Sequence, residues 1–138
     1  MKKLLKLSFA LLSMAFIATS CGSDDDAPAV SLENLQKRWY PVSTKYPGSN
    51  VPYDGHQSCG KDYTEFQANS AMRKVDVTDC QTDPTILTGT YTVTDNTLTT
   101  AVGGATSVYT LKTLNANNME LAVTLNGAEI VYVYTSNP

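Results

Sequence analysis

Residues 89–113 read GTYTVTDNTLTTAVGGATSVYTLKT. The segment is dense in Thr, Tyr and Val, residue types that suit a pleated, half-buried surface. Asp95-Asn96 and Gly103-Gly104 interrupt it. Such pairs supply the positive φ that tight hairpin turns require. The segment therefore holds three strands joined by two hairpin turns, over 86–94, 97–102 and 105–113. In the first of them Leu87, Gly89, Tyr91 and Val93 share one face, and Thr88, Thr90, Thr92 and Thr94 share the other. Period two with one polar face marks a strand buried on one side.

The same pattern continues in both directions. Asn115 to Asn118 and Asn126-Gly127 mark off two further strands, 117–125 and 128–135. Met119, Leu121, Val123 and Leu125 oppose Glu120, Ala122 and Thr124. The last strand is apolar on both sides, with Ile130, Tyr132 and Tyr134 against Val131 and Val133, so alternation does not choose its inner face. Upstream, Ala68-Asn69-Ser70 separates strands over 61–67 and 71–78, and a first strand spans 38–45. Before it, Ser31 is placed to cap a short helix over Ser31 to Gln36. No other segment carries a helical period.

Strands joined mostly by short turns pair with their chain neighbours. The expected fold is all-β, a small eight-stranded up-and-down antiparallel barrel with a short N-terminal helix. In such a meander successive loops alternate between the two ends. The long loops over 46–58 and 79–85 follow strands one and three, so both lie at one elaborated end while the other end is tight.

The first residues follow a different logic. Lys2, Lys3 and Lys6 precede an apolar run, LSFALLSMAFI at 7–17, and Ala18, Thr19 and Ser20 are small. That is the layout of a secretory signal, and the run is shorter than the roughly 20 residues a bilayer span needs. Ala18 to Cys21 resembles the lipobox of bacterial lipoproteins, which implies cleavage after residue 20 and lipidation of Cys21. Residues 21–31 are then a lipidated cysteine and a disordered acidic tether, because three aspartates, a proline and small residues bury no apolar surface. Residues 32–138 form the barrel domain. Ser23 followed by Asp24, Asp25 and Asp26 resembles the surface-export signal of Bacteroidota lipoproteins. The resulting expectation is a lipid-anchored protein of the outer membrane, exposed at the cell surface.

Loss of the leader leaves 7 basic against 13 acidic residues, a net charge of −6. The remaining cations are scattered and form no stripe, which argues against a nucleic-acid partner. With Cys21 assigned to lipid, Cys59 and Cys80 remain as an even pair in an exported domain, and such a pair reads as a disulfide. A metal site built from His56, Cys59 and Cys80 with Asp54 or Asp79 is the alternative, although it lacks a second paired ligand motif.

A Trp in the first strand, a long first loop and eight meandering strands are similar to a lipocalin-like barrel. More narrowly, Leu35 and Trp39, Cys59 and Cys80, the strand Gly89 to Val93 and the pair Leu98-Thr99 resemble the small lipocalin-like lipoproteins of Bacteroidota over about residues 32 to 135. The departure is Lys37, where lipocalins prefer glycine. The resemblance implies a cavity or cleft for a small, mostly apolar ligand, with no cofactor and no catalysis.

Three functional classes follow. The first is a binding module that takes a small apolar or amphipathic ligand at the barrel mouth, with Tyr46, Tyr53 and His56 as rim and Trp39, Tyr91, Tyr109 and Tyr132 as interior candidates. Core packing is the competing role for each interior aromatic. The second is a structural or interaction subunit of a surface complex, with a filled barrel that binds protein or glycan through its Tyr- and Asn-bearing loops. The third is an enzyme, and it is disfavoured: the single histidine has no evident orienting partner. Asp62 and Glu65, three apart on a strand, point to opposite faces.

Overall fold

The structure is a computed structural model that describes residues 31–138. The leader, Cys21 and the acidic tether through residue 30 lie outside the described residues. The chain forms a short helix α1 (Leu32–Leu35) and nine strands: β1 (Arg38–Tyr46), β2 (Ser49–Pro52), β3 (Tyr63–Phe66), β4 (Ala71–Asp76), β5 (Thr85–Thr94), β6 (Thr97–Val102), β7 (Ala105–Leu114), β8 (Asn118–Leu125) and β9 (Ala128–Thr135). All pairings are antiparallel. Strand β9 pairs with β1 from Tyr40↔Thr135 to Lys45↔Val131, which closes the sheet. Eight strands, β1 and β3 to β9, make the barrel expected from the sequence.

The turns form where the punctuation falls. Asp95, Asn126, Gly103, Gly104 and Gly127 all take positive φ. Ser31 accepts backbone bonds from Asn34 and Leu35 through its carbonyl, and its side chain makes no cap bond. The segment expected as one long loop, 46–58, contains the extra strand β2. A turn at Pro47-Gly48, with Gly48 at φ 80°, folds β2 back on the end of β1 in register Tyr46↔Ser49 to Ser43↔Pro52. Strand β3 meets β1 only at Arg38↔Glu65 and Trp39↔Thr64. Strand β1 thus has β3 beside its first half and β2 beside its second, and the barrel wall opens between them.

Directly paired residues share a face of the sheet. The register therefore traces an inward ring at the tight end: Trp39, Phe66, Met72, Tyr91, Leu98, Leu111 and Met119, closed from below by Leu35 of α1. All are buried. The Trp39 indole N–H donates to the Leu35 carbonyl at 2.9 Å, which ties the helix to the floor. The Tyr91 hydroxyl donates to the Gln67 carbonyl at 2.9 Å and accepts from the Gln36 amide at 3.2 Å, so its polar end is satisfied. Phe66 meets Tyr91 edge to face at 5.0 Å. This half of the barrel is a packed core.

Both long loops lie at the other end, as the meander argument requires. Cys59 and Cys80 are joined as a disulfide between them, with Cα atoms 5.6 Å apart. That bond consumes both thiols and leaves neither for the alternative metal site.

Candidate functional site

The inward rows that begin in the floor do not stay buried. Along β8, Met119 is fully buried and Leu125, six residues on, is 49 % exposed. Along β5, Tyr91 is buried and Leu87 is 47 % exposed. Side chains that alternation aims at the barrel axis are thus open to solvent at the elaborated end. Beside Leu87 is a cavity of about 310 Å³ that includes Thr44, Tyr53, Thr64, Lys74, Leu87 and Tyr134 in its lining. A second space of about 190 Å³ reaches down to Phe66, Met72 and Leu121 and shares Thr64, Lys74, Leu87 and Tyr134 with the first. The shared residues make these two levels of one cleft. Its size is at the lower end of small-molecule sites, which start near about 300 Å³.

The wall is mixed. Leu87, Val102 and Leu121 supply apolar surface, and Thr64, Thr100, Ser107, Tyr109 and Tyr134 supply hydroxyls. Tyr109 and Tyr132 meet edge to face at 6.2 Å across the open half. Burial raises the phenol pKa of Tyr132 and Tyr134, and neighbouring tyrosines add to the effect. Both phenols therefore stand as neutral donors at physiological pH.

At the wall opening, Asp62 organises the loop. Its carboxylate accepts the Val77 backbone N–H at 2.6 Å and the Tyr53 hydroxyl. Its own backbone N–H donates to His56 Nδ1 at 3.2 Å. Because Nδ1 accepts, the neutral ring carries its proton on Nε2, which faces the Pro41 carbonyl at 3.0 Å. Burial, then the bond to Asp62, pushes the Tyr53 phenol well above the ordinary tyrosine range. The arrangement is a hydrogen-bonded clasp that fixes Tyr53 in the cavity wall, with both histidine nitrogens already committed.

The exterior carries a different cluster. Glu65 faces outward between Arg38 at 3.1 Å and Arg73, and Tyr63 lies under both guanidinium groups. Burial disfavours the Glu65 carboxylate, but hydrogen bonds from Arg38 and Arg73 outweigh it and hold the pKa below the usual value. Beside this cluster a shallow groove runs past the disulfide, Lys61 and Ile86.

Of the residues singled out in the sequence, Tyr53, Tyr109 and Tyr132 line the cleft. Trp39 and Tyr91 belong to the floor, the core role weighed against a binding role for each. Tyr46 is exposed at the end of β1, and His56 holds the Asp62 loop rather than a cavity face. Lys74, Leu87 and Tyr134 also line the cleft without having been singled out as site residues, and Asp62, weighed only as a carboxylate partner for Glu65, lines its upper level. The row Met72, Lys74, Asp76 has period two, but Val75 and Val77 on the opposite face are apolar. Those valines are buried on the outside, where Gly60 packs on Val77, so the alternation gives no clear inner side.

A family model described as a lipocalin-like domain matches residues 35–121. No curated protein matches the sequence significantly. Among solved structures, a lipocalin-like protein from Bacteroides uniformis superposes with a TM-score of 0.59 at 11 % identity, covering 75 % of this chain and 98 % of that one. An uncharacterized protein from Bacteroides eggerthii superposes with a TM-score of 0.58 at 12 % identity, covering 74 % and 98 %. At these identities the two structures speak to the fold alone.

Proposed function

This chain belongs to the lipocalin-like domain family, and from that premise we propose that it is a lipid-anchored binding module of the outer membrane surface, taking a small amphipathic ligand in the open half of its barrel. The observation that carries the reading is the rise in exposure along the inward row of β5, from Tyr91 in a sealed floor to solvated Leu87 in the wall of a cavity of about 310 Å³. A barrel that served only as a scaffold gains nothing from leaving apolar inward side chains in water, since their burial would contribute about 25 cal/mol per Å². A mixed wall of leucine, valine and tyrosine hydroxyls suits a ligand with one apolar and one polar part. Cys21 would carry the anchor, and Ser23 to Asp26 the export signal. The disulfide suits an oxidising location outside the cytoplasm.

Native mass spectrometry of the protein released from its own envelope tests the binding half. A bound small molecule is expected; recovery only as a complex with another protein would favour an interaction subunit. Fractionation tests the anchor. Cys21→Ser is expected to move the protein from the membrane pellet to the soluble fraction, and protease added to intact cells is expected to cleave the wild type. Retention of Cys21→Ser in the membrane would defeat the anchor.

A further inference from the structure

The seam between β1 and β3 is closed by a side chain where the ladder gives out. The two strands pair at Arg38↔Glu65 and Trp39↔Thr64 and then part. Two residues further on, the same register would bring Pro41 opposite Asp62. A proline has no N–H to give such a pair. His56 stands in that place. Its Nδ1 accepts the Asp62 backbone N–H at 3.2 Å, and its Nε2–H donates to the Pro41 carbonyl at 3.0 Å. One neutral ring thus supplies the acceptor and the donor that a missing cross-strand partner would have supplied.

Each bank of the seam is tied to its own neighbours. On one bank β1 runs along β9, and the Tyr53 N–H donates to the Val42 carbonyl at 2.8 Å. On the other, Gln57 and Gly60 close a tight turn that Cys59 fastens to Cys80, and the Val77 N–H donates to the Asp62 carboxylate at 2.6 Å. Across the gap run the imidazole and the bond from the Tyr53 hydroxyl to Asp62. The Tyr53 ring leans edge-on against the imidazole, with centroids 4.9 Å apart, so the two links move together. Pro41, Tyr53 and Asp62 all line the cavity.

This bridge works only with a neutral ring. A second proton makes both nitrogens donors. Nδ1–H then meets the Asp62 N–H, donor against donor, and the amide of a buried residue loses its acceptor. Histidine changes charge between about pH 5 and 8, and His56 is the single histidine of the chain. The charged and titratable groups around it are Asp62 ahead of β3 with Lys61 beside it, Tyr53 and Asp54 on its own loop, and Asp76 at the end of β4, which acts with Asp54 on the Tyr53 phenol. Tyr134 of β9 stands within reach of Tyr53, and β1 offers the Pro41 carbonyl. Three carboxylates against one ammonium do not keep a positive charge away from this place. What the proton removes is the acceptor.

We propose that protonation of His56 parts the barrel wall between Pro41 and Asp62, so that the cleft holds its ligand at neutral pH and releases it in mild acid. This rests on the cleft being the ligand site. The disulfide confines the motion: with Cys59 fixed to Cys80, the wall yields along the edge of β1 while the floor around Trp39 stays packed.

Nuclear magnetic resonance of the purified full chain follows the seam without any ligand. The imidazole is expected in its Nε2–H form at about pH 7.5, and the Asp62 and Val77 amide resonances should shift along the same titration curve as the ring while the Trp39 indole N–H stays in place. Calorimetric titration with 1-octanol, which does not ionise in this range, reads the cleft. Its affinity should fall at least about five-fold between about pH 7.5 and about pH 5. His56→Gln cannot ionise and should bind 1-octanol within about two-fold at the two pH values. An Asp62 amide that ignores the titration of the ring would overturn the gate, as would an affinity that does not change with pH, and either result leaves the cleft as the binding site. A pH dependence that survives His56→Gln would remove His56 from the role. Binding of 1-octanol at neither pH would overturn the cleft as the site, and the release with it.

Discussion

Replacing both Cys59 and Cys80 by serine removes the one covalent link between the loops at the open end. The residues are 21 apart in sequence. In the chain-entropy model, freeing a loop of that length lets the unfolded chain regain entropy equivalent to about 3 kcal/mol of lost stability. The native side changes less. Asp62 still accepts the Val77 N–H at 2.6 Å, and β3 and β4 keep their register from Tyr63↔Val75 to Phe66↔Met72. The perturbation thus acts chiefly on the unfolded ensemble. Urea denaturation followed by Trp39 fluorescence measures it, since the indole sits in the sealed floor, away from the disulfide. With a slope on the order of 1.5 kcal/mol per molar, the midpoint should fall by about 2 M while the folded baseline stays the same. A shift below about 0.5 M would refute the entropic reasoning, and so would a changed folded baseline.

Other positions give independent checks. An ideal Cβ at Gly89 would lie 2.1 Å from the Ala101 carbonyl oxygen, so Gly89→Ala should force β5 away from β6 and cost upward of about 2 kcal/mol in the same denaturation assay. Asp62→Ala leaves the Val77 N–H and the Tyr53 hydroxyl without their acceptor and should cost about 2 kcal/mol, with the loss confined in hydrogen exchange to the loops around them. The phenols of Tyr53, Tyr132 and Tyr134 are raised above 10.0, first by burial. A raised phenol stabilises the fold fully below that value and loses its contribution as pH climbs past it. Phenolate absorbance should therefore show these tyrosines ionising last, together with alkaline unfolding; ionisation of every tyrosine at the ordinary value in a folded barrel would contradict this.

Most of the fold was legible because hairpin turns are written locally. Asp95-Asn96, Gly103-Gly104 and Asn126-Gly127 each place positive φ where the chain reverses, and counting strands between them gives the barrel and its elaborated end. The hairpin arm β2 was not legible. Its four residues are all exposed, so no alternation betrays them, and Pro47-Gly48 reads as part of a loop. The site was half legible. Tyr53, Tyr109 and Tyr132 are conspicuous residue types, but Lys74 and Asp76 read as an ordinary polar face, because Val75 and Val77 are buried from outside the barrel by a loop distant in sequence. That covering is a tertiary fact that no strand pattern contains. Tyr134 was hidden for the same reason, in a strand apolar on both sides.

The central claim is that the open half of the barrel interior, and not its exterior groove, receives the ligand. Ile86 and Leu87 are adjacent on β5 and similarly exposed, at 54 % and 47 %, but Leu87 faces the cleft and Ile86 the outer groove. Titration of 1-octanol into Leu87→Trp and Ile86→Trp compares the two sides directly. An indole at 87 fills the cleft and should weaken binding at least about ten-fold, whereas one at 86 should leave it within about two-fold of wild type. Unchanged binding by Leu87→Trp together with loss in Ile86→Trp would place the site outside the barrel and contradict the account.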